Sequence, residues 1–110
     1  MADDDKPLVW LHGEVRTPPF SEAARREAGF LLRMLQQGER VLMPQARPMP
    51  IIGKRCHELR VNDGEHAWRI VYRTDPDAIV ILGVFDKKSG KTPRSVIDVC
   101  KDRVGRYDAV

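Results

Sequence analysis

Apolar positions along the chain alternate between strand-like runs and helical spacing, and each switch marks an element. "LVWLHGEV", residues 8–15, is rich in Leu, Val and Trp over a strand's length, and Thr17, Pro18 and Pro19 stop it. Ser21 can cap a helix, and behind it Ala24, Ala28, Leu31, Leu32 and Leu35 recur at helical spacing up to Gly38. Between Glu39 and Cys56 the prolines Pro44, Pro48 and Pro50 and Gly53 disfavour any long element, so a crossing loop with one helical turn is expected. Three strands then follow, His57 to Val61, His66 to Thr74 and Ala78 to Phe85. The turn-formers "NDGE" and "DPD" separate them, which makes an antiparallel meander. Thr92 reads as an N-cap with Pro93 at the first helical position, and Val96, Cys100, Val104 and Tyr107 stripe the last helix.

The order predicts an α+β fold: a small, mostly antiparallel twisted sheet with an N-terminal helix, or helical hairpin, and a C-terminal helix packed on it. At 110 residues the chain is one domain in size, expected over 8–108 behind a tail of residues 1–7. Charged residues make up 32% and hydrophobic residues 42%, a globular balance. The longest apolar run, Ala78 to Phe85, is far short of a membrane span. The start "MADDDKP" is acidic where an export signal would be basic, so a cytoplasmic protein with Cys56 and Cys100 as free thiols is expected. Net charge is +3, and leaving out Asp3, Asp4, Asp5 and Lys6, together −2, gives +5 for the body. Such a balance favours anionic partners.

"SGKT" before a helix has the look of a nucleotide-binding loop, yet a Walker A motif needs a glycine five residues before Gly90, where Phe85 stands. The loop's chemistry rests instead on Lys87, Lys88, Lys91 and Arg94 against Asp86. Strand alternation adds to it. If Trp68, Ile70, Tyr72, Leu59 and Val61 face the helices, Arg60, Arg69 and Arg73 share the opposite face as a cationic surface with Lys87 at its edge. Phe85 and Lys87 are read as continuing the line of Ile79, Ile81 and Gly83. The competing reading pairs each arginine with a carboxylate such as Glu58 or Glu65.

Arginines bind phosphates bidentately and stabilise developing charge but cannot act as bases. A phosphodiester fits such a face, and RNA can be cut there by its own 2′-hydroxyl without a metal. Proton transfer is open among Lys54, His57, Glu58, Lys87, Lys88 and Tyr72. His12, His57 and His66 have no zinc-site spacing, and there is no GxSxG elbow.

"GKRCHELRVNDGEHAWRIVYR" followed by "IVILGVFDKKSGKTPRSVIDVCKDR" resembles the RelE/ParE superfamily of toxins, more narrowly its phage-derived HigB-like branch. The resemblance implies the toxin of a type II toxin–antitoxin system, an endoribonuclease that cuts messenger RNA in the ribosomal A site and needs no cofactor. It implies a helix-turn-helix antitoxin encoded beside it as partner, with DNA bound only through that complex and no membrane role. The family's catalytic cations carry over onto Arg60, Arg69, Lys87 and Lys88. Lys54, Arg55, Arg73, Lys91 and Arg94 are the expected RNA-binding cations, and His57 and Glu58 the candidate acid and base. Glu58 stands where RelE has a lysine, and no tyrosine occupies the first turns of the last helix. ParE-like relatives that bind DNA gyrase, and an inactive partner-binding remnant, are the alternative functions.

Overall fold

A computed structural model describes residues 5–11, 19–88 and 90–110. The elements run β1 Leu8–Trp10, α1 Glu22–Gln36, β2 Ala46–Pro48, β3 Cys56–Asp63, β4 His66–Thr74, β5 Ile79–Asp86 and α2 Arg94–Asp108. One five-stranded sheet has the order β1-β5-β4-β3-β2. Its pairs are antiparallel except β1 with β5, which run parallel. The expected α+β architecture is therefore observed as a mixed sheet with two helices. The first strand is shorter than 8–15, of which residues 12–15 lie outside the described residues. Lys6, counted with the tail, donates its N–H to the Gln36 carbonyl, and the Pro7 carbonyl accepts from Ile79. Within the proline-rich loop, Ala46–Pro48 pairs along β3 as an edge strand, where a proline's missing N–H can face outward. No helix among the described residues is long and apolar enough to cross a membrane.

α1 starts as its sequence asks. The Ser21 hydroxyl accepts the Ala24 N–H, and Asp63 in the β3–β4 hairpin accepts the Ser21 N–H. Its buried stripe, Ala24, Ala28, Leu31, Leu32 and Leu35, packs on Leu59, Val61, Trp68, Ile70, Tyr72, Ile79 and Ile81. The hairpin between β3 and β4 closes over two residues, with Gly64 at φ 61, the left-handed backbone that a tight turn demands and glycine supplies.

α2 packs on the other side of the sheet, against Val71, Val80 and Leu82 through Ile97 and Cys100. Both helices were expected over the Trp68 face; instead one helix covers each side, and the arginine face lies under α2. A sheet this small must bury Val71, Val80 and Leu82 as well as its α1 face, and the α2 stripe is the apolar surface that does so.

The β4–β5 ladder slips between Val71 and Tyr72. Val71 opposes Gly83 and Tyr72 opposes Ile81, so Leu82 is an extra residue in β5. The bulge resets alternation: Ile79 and Ile81 belong to the α1-side core, whereas Phe85 belongs to the α2-side core. Phe85 and Lys87 therefore do not continue the line of Ile79 and Ile81; they share the side of Arg69, the ladder partner of Phe85. Arg103 of α2 donates to the Leu82 carbonyl. A Cβ at Gly83 would sit 3.3 Å from Cys100 Sγ, a tight contact, so glycine eases the close approach of α2 to the bulge.

Candidate functional site

The expected site residues divide between the two sides of the sheet. Arg60 and Arg69 are directly opposed in the β3–β4 ladder, so two guanidinium groups share the α2 side. Like charges in such a pair repel unless a counterion intervenes. Glu58 supplies it. Fully buried at 0% exposure, it lies with Oε1 3.4 Å from Arg69 Nε. Neither of these two atoms makes a hydrogen bond, so the pair is held by charge alone. Arg69 Nη1 donates to the Trp68 carbonyl at 2.9 Å. Burial, then the like charge of Arg60, pulls the Arg69 guanidinium below its usual value, while Glu58 and Asp86 act the other way. Arg60 is half-buried and has no carboxylate partner among the described residues.

The strand-to-helix loop reaches this pair through Thr92, whose hydroxyl donates to Glu58 Oε2 at 3.1 Å. Thr92 is thus not the helix cap that its sequence position predicts. The cap residue is Pro93, which has no side-chain capping bond. A Thr hydroxyl can serve either the helix or a neighbouring carboxylate, and the buried Glu58 charge is the stronger acceptor.

At the end of β5 the loop lysines part. Lys87 donates its backbone N–H to the Ala67 carbonyl and, two residues beyond Phe85, continues on the Arg69 side by alternation. Lys88 places Nζ 2.7 Å from Asp86 Oδ2. The same oxygen lies 2.6 Å from His66 Nδ1, and Asp86 Oδ1 accepts the Ala67 N–H at 2.9 Å. These bonds, from His66 first, hold the Asp86 carboxyl well below the usual carboxylate range. Sequence spacing gave no sign of this cluster, because His66 and Asp86 are 20 residues apart and meet only through the β4–β5 pairing.

The remaining expected residues lie elsewhere. Arg73 is buried and makes two hydrogen bonds to each of Asp75 and Asp108, which push its guanidinium above the usual value. Two of the three strand arginines thus have carboxylates beside them, Glu58 and the Asp75–Asp108 pair. Arg55, at φ 63, reaches Asp75 at 3.4 Å. His57 stacks on Tyr72, 5.6 Å between ring centroids, in a cleft of about 510 Å³ under the end of α1, lined also by Lys6, Arg40 and Arg55. That cleft is on the α1 side, away from Arg60 and Arg69. Burial pushes the Tyr72 phenol up to about 12. Lys54 and Arg94 are exposed, Arg94 near Asp98 on its own helix, and Lys91 is exposed in the loop. Among the described residues no three His, Cys, Asp or Glu side chains converge as metal ligands would.

Fold and site together define a small α+β protein with an arginine pair beneath a lysine-bearing strand-to-helix loop. A family model described as "Phage derived protein Gp49-like (DUF891)" matches residues 19–105, and the chain belongs to this family. The family is toxin-like, of RelE/HigB type. No curated protein matches the chain.

Proposed function

We propose that this protein is the toxin of a toxin–antitoxin pair and that it cuts messenger RNA in the ribosomal A site, inhibiting translation. The observation that carries the reading is the Arg60–Arg69 cross-strand pair facing the side on which Lys87 emerges. Arg60 and Lys87, each half-buried, meet the scissile phosphate. Arg69, only 5% exposed, adds charge from beneath, where a desolvated cation acts most strongly on a developing phosphorane. Glu58 is the counterion of Arg69; with no exposed surface it carries no proton to or from RNA. The attacking group is the RNA's own 2′-hydroxyl. Arg60, Lys87 and Lys88 also fit a phosphate backbone better than an acidic protein patch, because they line the end of one sheet as a strand of phosphates would.

The partner that restrains it is a helix-turn-helix antitoxin encoded beside it, and DNA contact passes through that complex. The test is induction in cells with and without the neighbouring reading frame, with transcript ends mapped by primer extension. Wild type is expected to produce cuts confined to translated regions that the neighbour suppresses. Arg69→Ala and Lys87→Ala are each expected to lower cleavage by about 10²-fold, the usual cost of one charge-stabilising group. Growth inhibition that survives both substitutions without any RNA cuts would replace this reading with a toxin that acts by binding, as on DNA gyrase.

A further inference from the structure

Cleavage by a 2′-hydroxyl expels the 5′-oxygen of the next nucleotide, and that oxygen must gain a proton. Arginines do not give up protons at working pH, and Glu58 is sealed from the RNA. The His66–Asp86 pair stands at the edge of the same site. Asp86 Oδ2 lies 2.6 Å from His66 Nδ1, and because the carboxyl is held ionised, Nδ1 must be the donor. The tautomer and ring direction are thereby fixed, as a carboxylate does for a working histidine. Trp68 fixes the ring plane from below, stacked at 5.3 Å and 20°. Nε2 makes no protein hydrogen bond among the described residues, and the side chain is 49% exposed.

Asp86 immediately precedes Lys87, and its charge is felt at Arg69. Asp86 is the ladder partner of Trp68, the residue before Arg69. The imidazole and Lys88 thus flank the sheet end from the α1 side, while Lys87 and Arg69 flank it from the α2 side. A phosphate crossing that rim has a cationic wall on one side and an imidazole on the other. In-line displacement needs this separation, since the attacking and leaving oxygens lie on opposite sides of phosphorus.

We propose that His66, aligned by Asp86, protonates the departing 5′-oxygen; the inference rests on the RNA-cutting reading above. The 2′-oxygen bonds to phosphorus, its proton passes to water, and the bond from phosphorus to the 5′-oxygen breaks. The 5′-oxygen takes the Nε2 proton of His66 in its imidazolium form, leaving a neutral imidazole that keeps its proton on Nδ1 toward Asp86. The products are a 2′,3′-cyclic phosphate and a 5′-hydroxyl, and water reprotonates the imidazole. Asp86 is a positioning residue and touches no reacting atom.

The experiment compares two synthetic messages on ribosomes, one ordinary and one with a single sulfur replacing the scissile 5′-oxygen, a leaving group that needs no proton. His66→Gln is expected to cut the ordinary message about 10²–10⁴-fold more slowly than wild type, the range of a general acid. On the sulfur message the two are expected to cut at similar rates. Asp86→Asn is expected to show a smaller loss with the same rescue, and His66→Asn repeats the comparison with a smaller side chain. Equal rates for wild type and both His66 variants on the ordinary message would overturn the proposal. So would a defect that persists on the sulfur message, because a merely structural His66 would slow both alike. A wild type that cuts neither message defeats the RNA-cutting reading itself, and this inference with it.

Discussion

Glu58 shows how much one residue depends on its surroundings. On the sequence it is a carboxylate in "HELR", readable as a proton-transfer group or as the partner of a strand arginine. In the fold it is buried between the Arg69 guanidinium and the Thr92 hydroxyl. A buried charge that loses its partner is costly, and here the buried Arg69 would be left without a counterion opposite Arg60 in the β3–β4 ladder. Glu58→Ala is expected to lower unfolding free energy by about 3–5 kcal/mol, read by urea titration. A loss below about 1 kcal/mol, the size of a surface pair, would mean that Glu58 is not the counterion of Arg69. The two cysteines behave the opposite way. Both are free thiols, as expected from the sequence, and burial pushes them up, Cys100 to about 11, which makes them unreactive.

Among the elements, α2 is the one whose docking the sequence did not reveal. Its stripe was legible, yet a stripe does not say which side of a sheet it covers. The side is set by the Leu82 bulge, by Gly83 yielding room to Cys100, and by Arg73, which ties the last residue of the helix, Asp108, to β4. Arg73→Ala is expected to speed amide exchange over residues 104–110 and to destabilise more than Asp108→Asn, since it also strands the buried Asp75. Unchanged exchange there would show that the apolar contacts alone dock the helix. Hydrogen bonds from Arg73 hold the Asp108 carboxyl below its usual range, as bonds from His66 and from Ser21 do for Asp86 and Asp63. Each folded-state pKa lies below the unfolded one. Their stabilisation is therefore complete above about pH 4 and is lost as pH falls through the lower folded values. Urea midpoints are expected to fall on acidification below that point, and less steeply in Asp108→Asn. Equal slopes would remove Asp108 from the account.

For the whole molecule the chief physical quantity is charge. A net +3 is modest, but cations from two strands and one loop gather at one sheet end, so the local field exceeds what the total implies. RNA binding is accordingly expected to weaken with salt, each phosphate contact by a lysine or arginine contributing about −0.7 to the log–log slope for a single strand. Removing Lys88 should flatten the slope by about that amount. A slope indifferent to salt would point to a protein target instead. The cationic face expected from alternation was only partly legible. Arg60 and Arg69 do share a side, but Arg73 on the same line is consumed by Asp75 and Asp108, and alternation carries no information about what packs on top.

The sequence by itself determined the order of elements other than β2, the α1 cap and stripe, the β3–β4 hairpin and the lysine loop, because these rest on local periodicity and turn chemistry. Only the tertiary structure decided that the helices cover opposite sides, that a bulge brings Lys87 to the Arg69 side, that Thr92 serves Glu58 rather than its helix, and that His66 meets Asp86. Each of these depends on residues distant in sequence competing for one space or one hydrogen-bond partner. Such competition is settled by packing and desolvation, which a linear pattern does not record.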